Sequence, residues 1–230
     1  MPINILPAIT TISLGGWQKK IAEIDELDIK SAALFLTVTD AKQRTELYSL
    51  LEKTQLQSAP FVHLRSDMSP DELDYLVDRW GTKVFNIHSL NEYPLKYDLT
   101  KFADRIFVEE NTIWPWQEDE IRQWAGICID FSHLEAARLS DTPLYENWIN
   151  IIEKYPIGCA HISAIGRTPR VDKFDGTLRH DKHWLDDISE LDYLKNYPKK
   201  YFPPYIAVEL ENSLSEQVKF REYIAKILDL

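Results

Sequence analysis

Short apolar runs recur along the chain, and each is followed by a polar or amphipathic stretch. The runs are Ile3–Ile12, Ala32–Val38, Pro60–Leu64, Lys83–Ile87, Arg105–Val108, Gly126–Ile129, Ile157–Ile162 and Tyr205–Leu210. They are rich in β-branched and aromatic residues and nearly continuous in apolar character. That is the pattern of parallel strands buried on both faces. Helical spacing fills the gaps. It predicts helices over Gly16–Leu27, Lys42–Leu56, Leu95–Ala103, Trp116–Trp124, Leu134–Lys154 and Leu185–Leu194. Ser69-Pro70-Asp71-Glu72 reads as a further helix start, with an N-cap serine, proline at the first helical position and glutamate at the third. Ser213 and Glu216 form a second such signal, opening a helix that runs to Leu230. Eight strands alternating with helices predict an α/β fold, a single (β/α)8 TIM barrel with short loops, as one domain over residues 1–230. An open, doubly wound sheet is the competing arrangement. No Gly-rich dinucleotide or Walker pattern supports it.

Composition narrows the class. The chain is 44% hydrophobic and 27% charged, as folded proteins are, which excludes disordered, collagen-like and coiled-coil chains. It has 26 Lys and Arg against 37 Asp and Glu, a formal charge of −11. That balance disfavours a nucleic-acid partner held by a broad basic surface, but permits a local cationic or metal-lined site. The two cysteines, Cys128 and Cys159, lie in apolar runs and read as buried small hydrophobes. The first residues, MPINILPAIT, lack a basic segment leading into a long apolar stretch. The longest apolar run, Ala32–Val38, is too short to cross a bilayer. The reading is therefore a cytoplasmic protein with no membrane partner.

Candidate chemistry gathers at the strand ends. Of six histidines, His63, His88 and His161 close strand runs, and His133 follows one by a few residues. His180 and His183 lie in the connection after the seventh run. Carboxylates share the pattern. Glu109 and Glu110 end the fifth run, Asp130 ends the sixth, Asp181 precedes His183, and Glu209 and Glu211 share one face of the eighth. In a barrel all C-terminal strand ends surround one mouth, where active sites sit. Imidazoles and carboxylates together suit Zn²⁺, Mn²⁺ or Fe²⁺. Without cations, crowded carboxylates would repel and their pKa values would rise. Any one of these residues alone reads as an ordinary hydrogen-bonded group, and only their convergence carries the metal reading. Glu109 and Glu110 face opposite ways along a strand, so one of the two is the expected ligand. His180 reads as an exposed residue and Asp67 as part of a turn.

The segment GICIDFSHLEAA resembles the D-x-x-H motif on strand six of the endonuclease IV family, within the xylose-isomerase-like TIM barrels. The remaining pieces match in chain order. His63 and His88 resemble the family's strand-three and strand-four histidines, and Glu110-Asn111-Thr112 its strand-five E-N-T. His161 resembles the strand-seven histidine, Asp181-x-His183 the D-x-H element, and Glu209 the strand-eight glutamate. The resemblance implies a metal set of His63, His88, Glu110, Asp130, His133, His161, Asp181, His183 and Glu209. It implies up to three divalent ions, commonly Zn²⁺ with Mn²⁺ as the alternative, and a bridging role for Glu110. The implied activity is phosphoester hydrolysis, in which ions activate water and stabilise the leaving oxygen. Glu110 and Glu209 are the expected catalytic residues.

The chain also departs from that family. Ser66 stands where the family carries a tyrosine three residues after the strand-three histidine, and the connection TDAKQRT after strand two is short. These features point away from duplex DNA and toward a small phosphorylated or sugar-like substrate. Arg65, Arg167 and Arg170 are candidate phosphate contacts, and Trp114, Trp116 and Trp184 are candidate stacking surfaces. A sugar or sugar-phosphate isomerase or epimerase of the same superfamily is the second reading. It would use one divalent ion on Glu110, Asp130, His161 and Glu209, with the two glutamates as an acid/base pair. A non-catalytic binding barrel would predict an incomplete ligand set, and the set looks complete.

Overall fold

Each of the eight apolar runs forms a strand in the computed structural model, which describes residues 2–12, 16–111, 114–171 and 176–230. In chain order they are β1 (Asn4–Thr10), β2 (Ala33–Phe35), β3 (Phe61–His63), β4 (Val84–Ile87), β5 (Ile106–Glu109), β6 (Gly126–Asp130) and β7 (Ile157–Ile162). After these come an antiparallel hairpin, β8 (Ala164–Val171) with β9 (Leu178–Lys182), and then β10 (Tyr205–Val208). Strands β1 to β7 pair in sequence, and β10 closes the ring between β7 and β1. Every ladder of the ring is parallel. The chain is therefore a (β/α)8 TIM barrel.

The helices are α1 (Trp17–Glu26), α2 (Ala41–Leu51), α3 (Pro70–Trp80), α4 (Glu118–Ile121), α5 (Phe131–Leu139), α6 (Pro143–Ile152) and α7 (Leu214–Ile227). Their ends follow local chemistry. The Ser69 hydroxyl accepts from the Glu72 amide at 3.3 Å, and Gly81, at φ 65°, ends α3 in the left-handed conformation that glycine tolerates best. Ser213 and Glu216 cap α7 reciprocally, at 3.3 Å and 3.0 Å. Among the described residues, no helix is long and apolar enough to cross a membrane.

Several expected helices are shorter or divided. In Leu95–Ala103 only Thr100–Phe102 is helical, as a single 3₁₀ turn. The Asp98 carboxylate accepts from the Thr100 amide at 2.9 Å, a local bond that competes with helix propagation. Trp116–Trp124 contracts to the single turn α4, and the Trp116 indole is instead buried and donates to the Val108 carbonyl at 3.2 Å. Leu134–Lys154 divides into α5 and α6, because Asp141 takes φ 50° and Pro143 starts a new helix. Leu185–Leu194 becomes a 3₁₀ segment, Ile188–Asn196, behind an Asp187 cap. The β8–β9 hairpin is an element beyond the expected alternation.

Two layers of packing hold the barrel. Outward-facing Ile9, Leu34, Val62 and Phe85 meet Leu47, Leu76 and Trp80 of the helical coat, and Ile129, Ile162 and Val208 belong to the matching layer with Phe131 and Trp148. Inward-facing Leu6, Ala8, Ala33, Phe61, Val84, Phe107, Cys128, Cys159 and Ala207 fill the lumen. Both cysteines are free thiols in this apolar plug. Phe107 reaches across to β7 only because Gly158 has no side chain. A Cβ there would lie 2.1 Å from the Phe107 Cζ.

Candidate metal centre

Side chains along a strand alternate, so the next inward position above each lumen residue is two residues further on. Applying that step to the apolar plug gives the mouth. Phe61 leads to His63, Val84 to Asn86, Phe107 to Glu109, Cys128 to Asp130, Cys159 to His161 and Ala207 to Glu209. All six are buried. The parallel register sets them side by side, with His63 opposite Asn86 and Asp130 opposite His161.

Glu109 is the hub. Its Oε2 lies 3.2 Å from His63 Nε2, 3.6 Å from His88 Nε2 and 3.7 Å from His161 Nε2. The Asn86 amide donates to the same oxygen. On its other side, His161 Nδ1 lies 3.1 Å from Glu209 Oε2, and Glu209 Oε1 lies 3.2 Å from His183 Nδ1. Asp130 starts a second group. Its Oδ1 caps α5 by accepting from the Ser132 amide at 2.7 Å and the His133 amide at 3.1 Å. Its Oδ2 faces His133 Nε2 at 3.6 Å, and that nitrogen is 4.0 Å from Asp181 Oδ2. Donor atoms of His63, Glu109 and His161 lie within 4.8 Å of one another, as do those of Glu109, Asp130 and His133. Glu109 therefore links the two groups.

Eight of the nine residues named from sequence join these groups through their side chains. Glu110 stands differently. Its Oε1 accepts from the Asp130 amide at 2.8 Å, and among the described residues no imidazole lies within ion-pair distance of it. The position among the imidazoles, expected for Glu110, is filled by Glu109. The strand period could have made that choice, since inward-facing Phe107 is two residues before Glu109. Asn86 is a further site residue that sequence reading passed over, and the same period places it. Thr112, the end of the E-N-T match, lies outside the described residues.

The other candidates divide. The His180 ring contacts the Gly166 carbonyl at 3.1 Å, which fixes the hairpin. Asp67 accepts from Arg44 and Arg65, both at 3.2 Å, a structural role. Arg170 donates to the Asp181 carbonyl at 3.1 Å, and Arg167 is exposed. Glu211 accepts from the Thr10 hydroxyl. Trp114 and Trp184 are about half exposed, at 54% and 49%, whereas Trp116 is core.

Burial and crowding shift most of these groups away from their ordinary pKa range. Burial raises the Glu110 carboxyl well above its usual range, with Asp130 and Glu109 adding to it. Burial raises Glu209 too, and Asp130, Glu109 and Asp181 push the same way. Burial works against ionisation of Glu109, yet the imidazoles of His161, His88 and His63 hold it well below the usual range. Burial lowers His161 to about 4, and lowers His63 and His183 as well, which favours the neutral, ligating form. Burial also opposes charge on His88, but Glu109 outweighs it and raises that ring.

Among the described residues, several buried polar atoms here make no hydrogen bond, even where a charged neighbour stands close by. They are Glu110 Oε2, Asp130 Oδ2, Glu209 Oε2, His183 Nδ1, Asn86 Oδ1 and both ring nitrogens of His161. An unsatisfied buried polar atom costs on the order of 1–3 kcal/mol, so a cluster of them is not a stable end state by itself. Nearly all are lone-pair donors of the kind that zinc or manganese takes. The residues thus fit a multinuclear divalent centre. Phe35, level with His63 on β2, lies 4.5 Å from that ring, and Phe61, one step below, lies 4.9 Å from His161 and separates the site from the lumen.

No family model matches the chain, and no curated protein matches its sequence. What stands is a TIM barrel with a candidate metal centre at its C-terminal mouth.

Proposed function

We propose that this barrel is a metal-dependent hydrolase of small phosphoesters, similar in its ligand pattern to the endonuclease IV group of xylose-isomerase-like barrels. The observation that carries the reading is the convergence, in the layer above the apolar plug, of buried imidazole and carboxylate atoms that make no hydrogen bond among the described residues. Zinc is the best match to this donor set, with manganese next. His63, His88, His161, Glu109, Glu209 and His183 would hold ions on one side, and Asp130, His133 and Asp181 on the other. Bound ions supply activation of water and stabilisation of a departing oxygen.

The chain's own groups do the rest. Asn86 holds the Glu109 carboxylate in place through one oxygen. Ser132 donates its hydroxyl to Asp130 Oδ1 at 2.6 Å, which leaves Oδ2 turned to the site. Glu110 ties β5 to β6 through the Asp130 amide and places Asp130. In hydrolysis, a water oxygen forms the new bond to phosphorus, the ester P–O bond breaks, and the departing oxygen takes up a proton.

The test is a rate. Zinc-loaded protein should hydrolyse aryl phosphate esters, and Glu209→Gln should lose at least about 10³-fold of that rate, in the range for direct loss of an essential group. Undiminished activity in the variant would remove Glu209 from the machinery. The isomerase reading, expected on Glu110, Asp130, His161 and Glu209, needs one ion, and in this geometry His63, Glu109 and His161 are close enough together to hold it instead. Elemental analysis separates the two, at about three ions per chain for the hydrolase and about one for the isomerase.

A further inference from the structure

A cavity of about 260 Å³ opens beside the histidine side of the centre. Its floor includes His63 and His88, and its walls include Val38, Leu95, Arg65 and Tyr93. Val38 and Tyr93 are about half exposed, at 47% and 48%, and both face this space. Large apolar side chains left open around a concave site mark a ligand surface. The Tyr93 ring is tilted 43° to the His88 ring at 5.6 Å, so it borders a candidate metal ligand. The Arg65 guanidinium donates through Nε to Asp67 at 3.2 Å. Its two terminal nitrogens have no protein partner among the described residues, and the side chain is 31% exposed. That geometry fixes the guanidinium plane and leaves its paired donors for an anion.

We infer that this cavity is the substrate pocket and that it selects a small phosphate ester carrying a planar ring. The phosphate lies between the His63 and His88 edge of the centre and Arg65. The ring lies against Tyr93, with Val38 and Leu95 closing the apolar side. This inference rests on the hydrolase reading and adds the substrate class. Thr37 and Ser66 also line the cavity, but Val38, Leu95 and the Tyr93 ring present a surface that suits a flat ring better than a bare sugar, whose hydroxyls would be desolvated against it. A flat ring instead gains stacking with Tyr93 and loses no hydrogen bonds.

Binding of non-hydrolysable phosphonates tests the inference without turnover. Calorimetric titration of the zinc-loaded protein should show phenylphosphonate binding about tenfold or more tightly than methylphosphonate, the worth of one good aromatic contact. Tyr93→Ala should bring that ratio to within about twofold of one, and Tyr93→Phe should restore it. Arg65→Ala should weaken both ligands by about tenfold or more, as loss of a charge-assisted pair does. Equal affinity for the two phosphonates in the wild-type protein overturns the inference, as does a preference that survives Tyr93→Ala. If both bind equally and phosphate esters are still hydrolysed, the hydrolase reading stands and the ring pocket falls. If neither phosphonate binds and no ester is hydrolysed, both fall together.

Discussion

Two layers of one barrel, a single side-chain step apart, obey opposite rules. The lower layer is Phe61, Phe107, Cys128, Cys159 and their apolar neighbours. The upper layer is His63, Glu109, Asp130 and His161 on the same strands. Both layers are buried. In the lower one, burial is favourable because the atoms have nothing to lose on leaving water. In the upper one, burial leaves lone pairs unanswered and drives carboxyl and imidazole pKa values away from their ordinary range. The difference teaches where stability and function separate. The plug holds the strands at the spacing that forces the polar atoms above it together.

The sharpest way to break the comparison is one substitution in each layer of β5. Glu109→Gln should lower ester hydrolysis at least about 10³-fold, since Glu109 joins both ligand groups. The zinc-free variant should unfold more easily than the wild type, because the imidazoles and the Asn86 amide lose the ionised carboxylate they surround. A rate within tenfold of wild type would displace Glu109 from the hub. Glu110→Gln should cost less, about 10- to 100-fold, as expected of a group that orients a ligand. A larger loss at Glu110 than at Glu109 would return the bridging role to Glu110. Phe107→Ala, two residues below, should cost about 3–5 kcal/mol in urea unfolding, the price of a large core truncation. A loss under about 1 kcal/mol would mean that the lumen can collapse around the gap.

Lys20 tests burial of charge at the edge of the mouth. It is 3% exposed, and its Nζ donates to the Leu210 carbonyl at 2.7 Å and to the Thr10 hydroxyl. Burial lowers its pKa from 10.5 to about 8, against the pull of Glu211 and Glu23. The folded state therefore binds fewer protons than the unfolded state between those two values. The penalty is present in full below about pH 8 and is relieved as pH rises toward 10.5. Measured against Lys20→Met, wild-type stability should rise by about 3 kcal/mol across that window. A difference that stays flat with pH would show that Lys20 is solvated. The smallest effect belongs to the helical coat, away from both layers. Ser69→Ala should cost about 1 kcal/mol, the usual worth of an N-cap, with unchanged hydrolysis.

Much of this was legible from residue pattern. The eight strands were readable because buried parallel strands are apolar on both faces, and every run formed one. The mouth residues were readable because strand ends converge in a barrel. The choice between Glu109 and Glu110 was readable too, but only by counting alternation back to Phe107. The β8–β9 hairpin was not. Its strand Arg-Thr-Pro-Arg-Val is exposed and carries no apolar period, and it is held by tertiary bonds instead. One anchors its base, from the Tyr193 hydroxyl to the carbonyl of Ser163 just before β8 at 3.0 Å, and the His180 ring meets the Gly166 carbonyl across the hairpin at 3.1 Å. The shortened helices escaped for a similar reason, since Asp98, Asp141 and Asp187 bend the backbone through local geometry that helical spacing ignores.

The central claim is that the upper layer is a metal centre. Anomalous scattering at the zinc edge, from crystals of the zinc-loaded protein, tests it most directly. The account predicts a peak within ligand distance of His63, Glu109 and His161, and another beside Asp130 and His133. A map with no peak in the mouth, from protein shown to be folded and exposed to excess zinc, would contradict it.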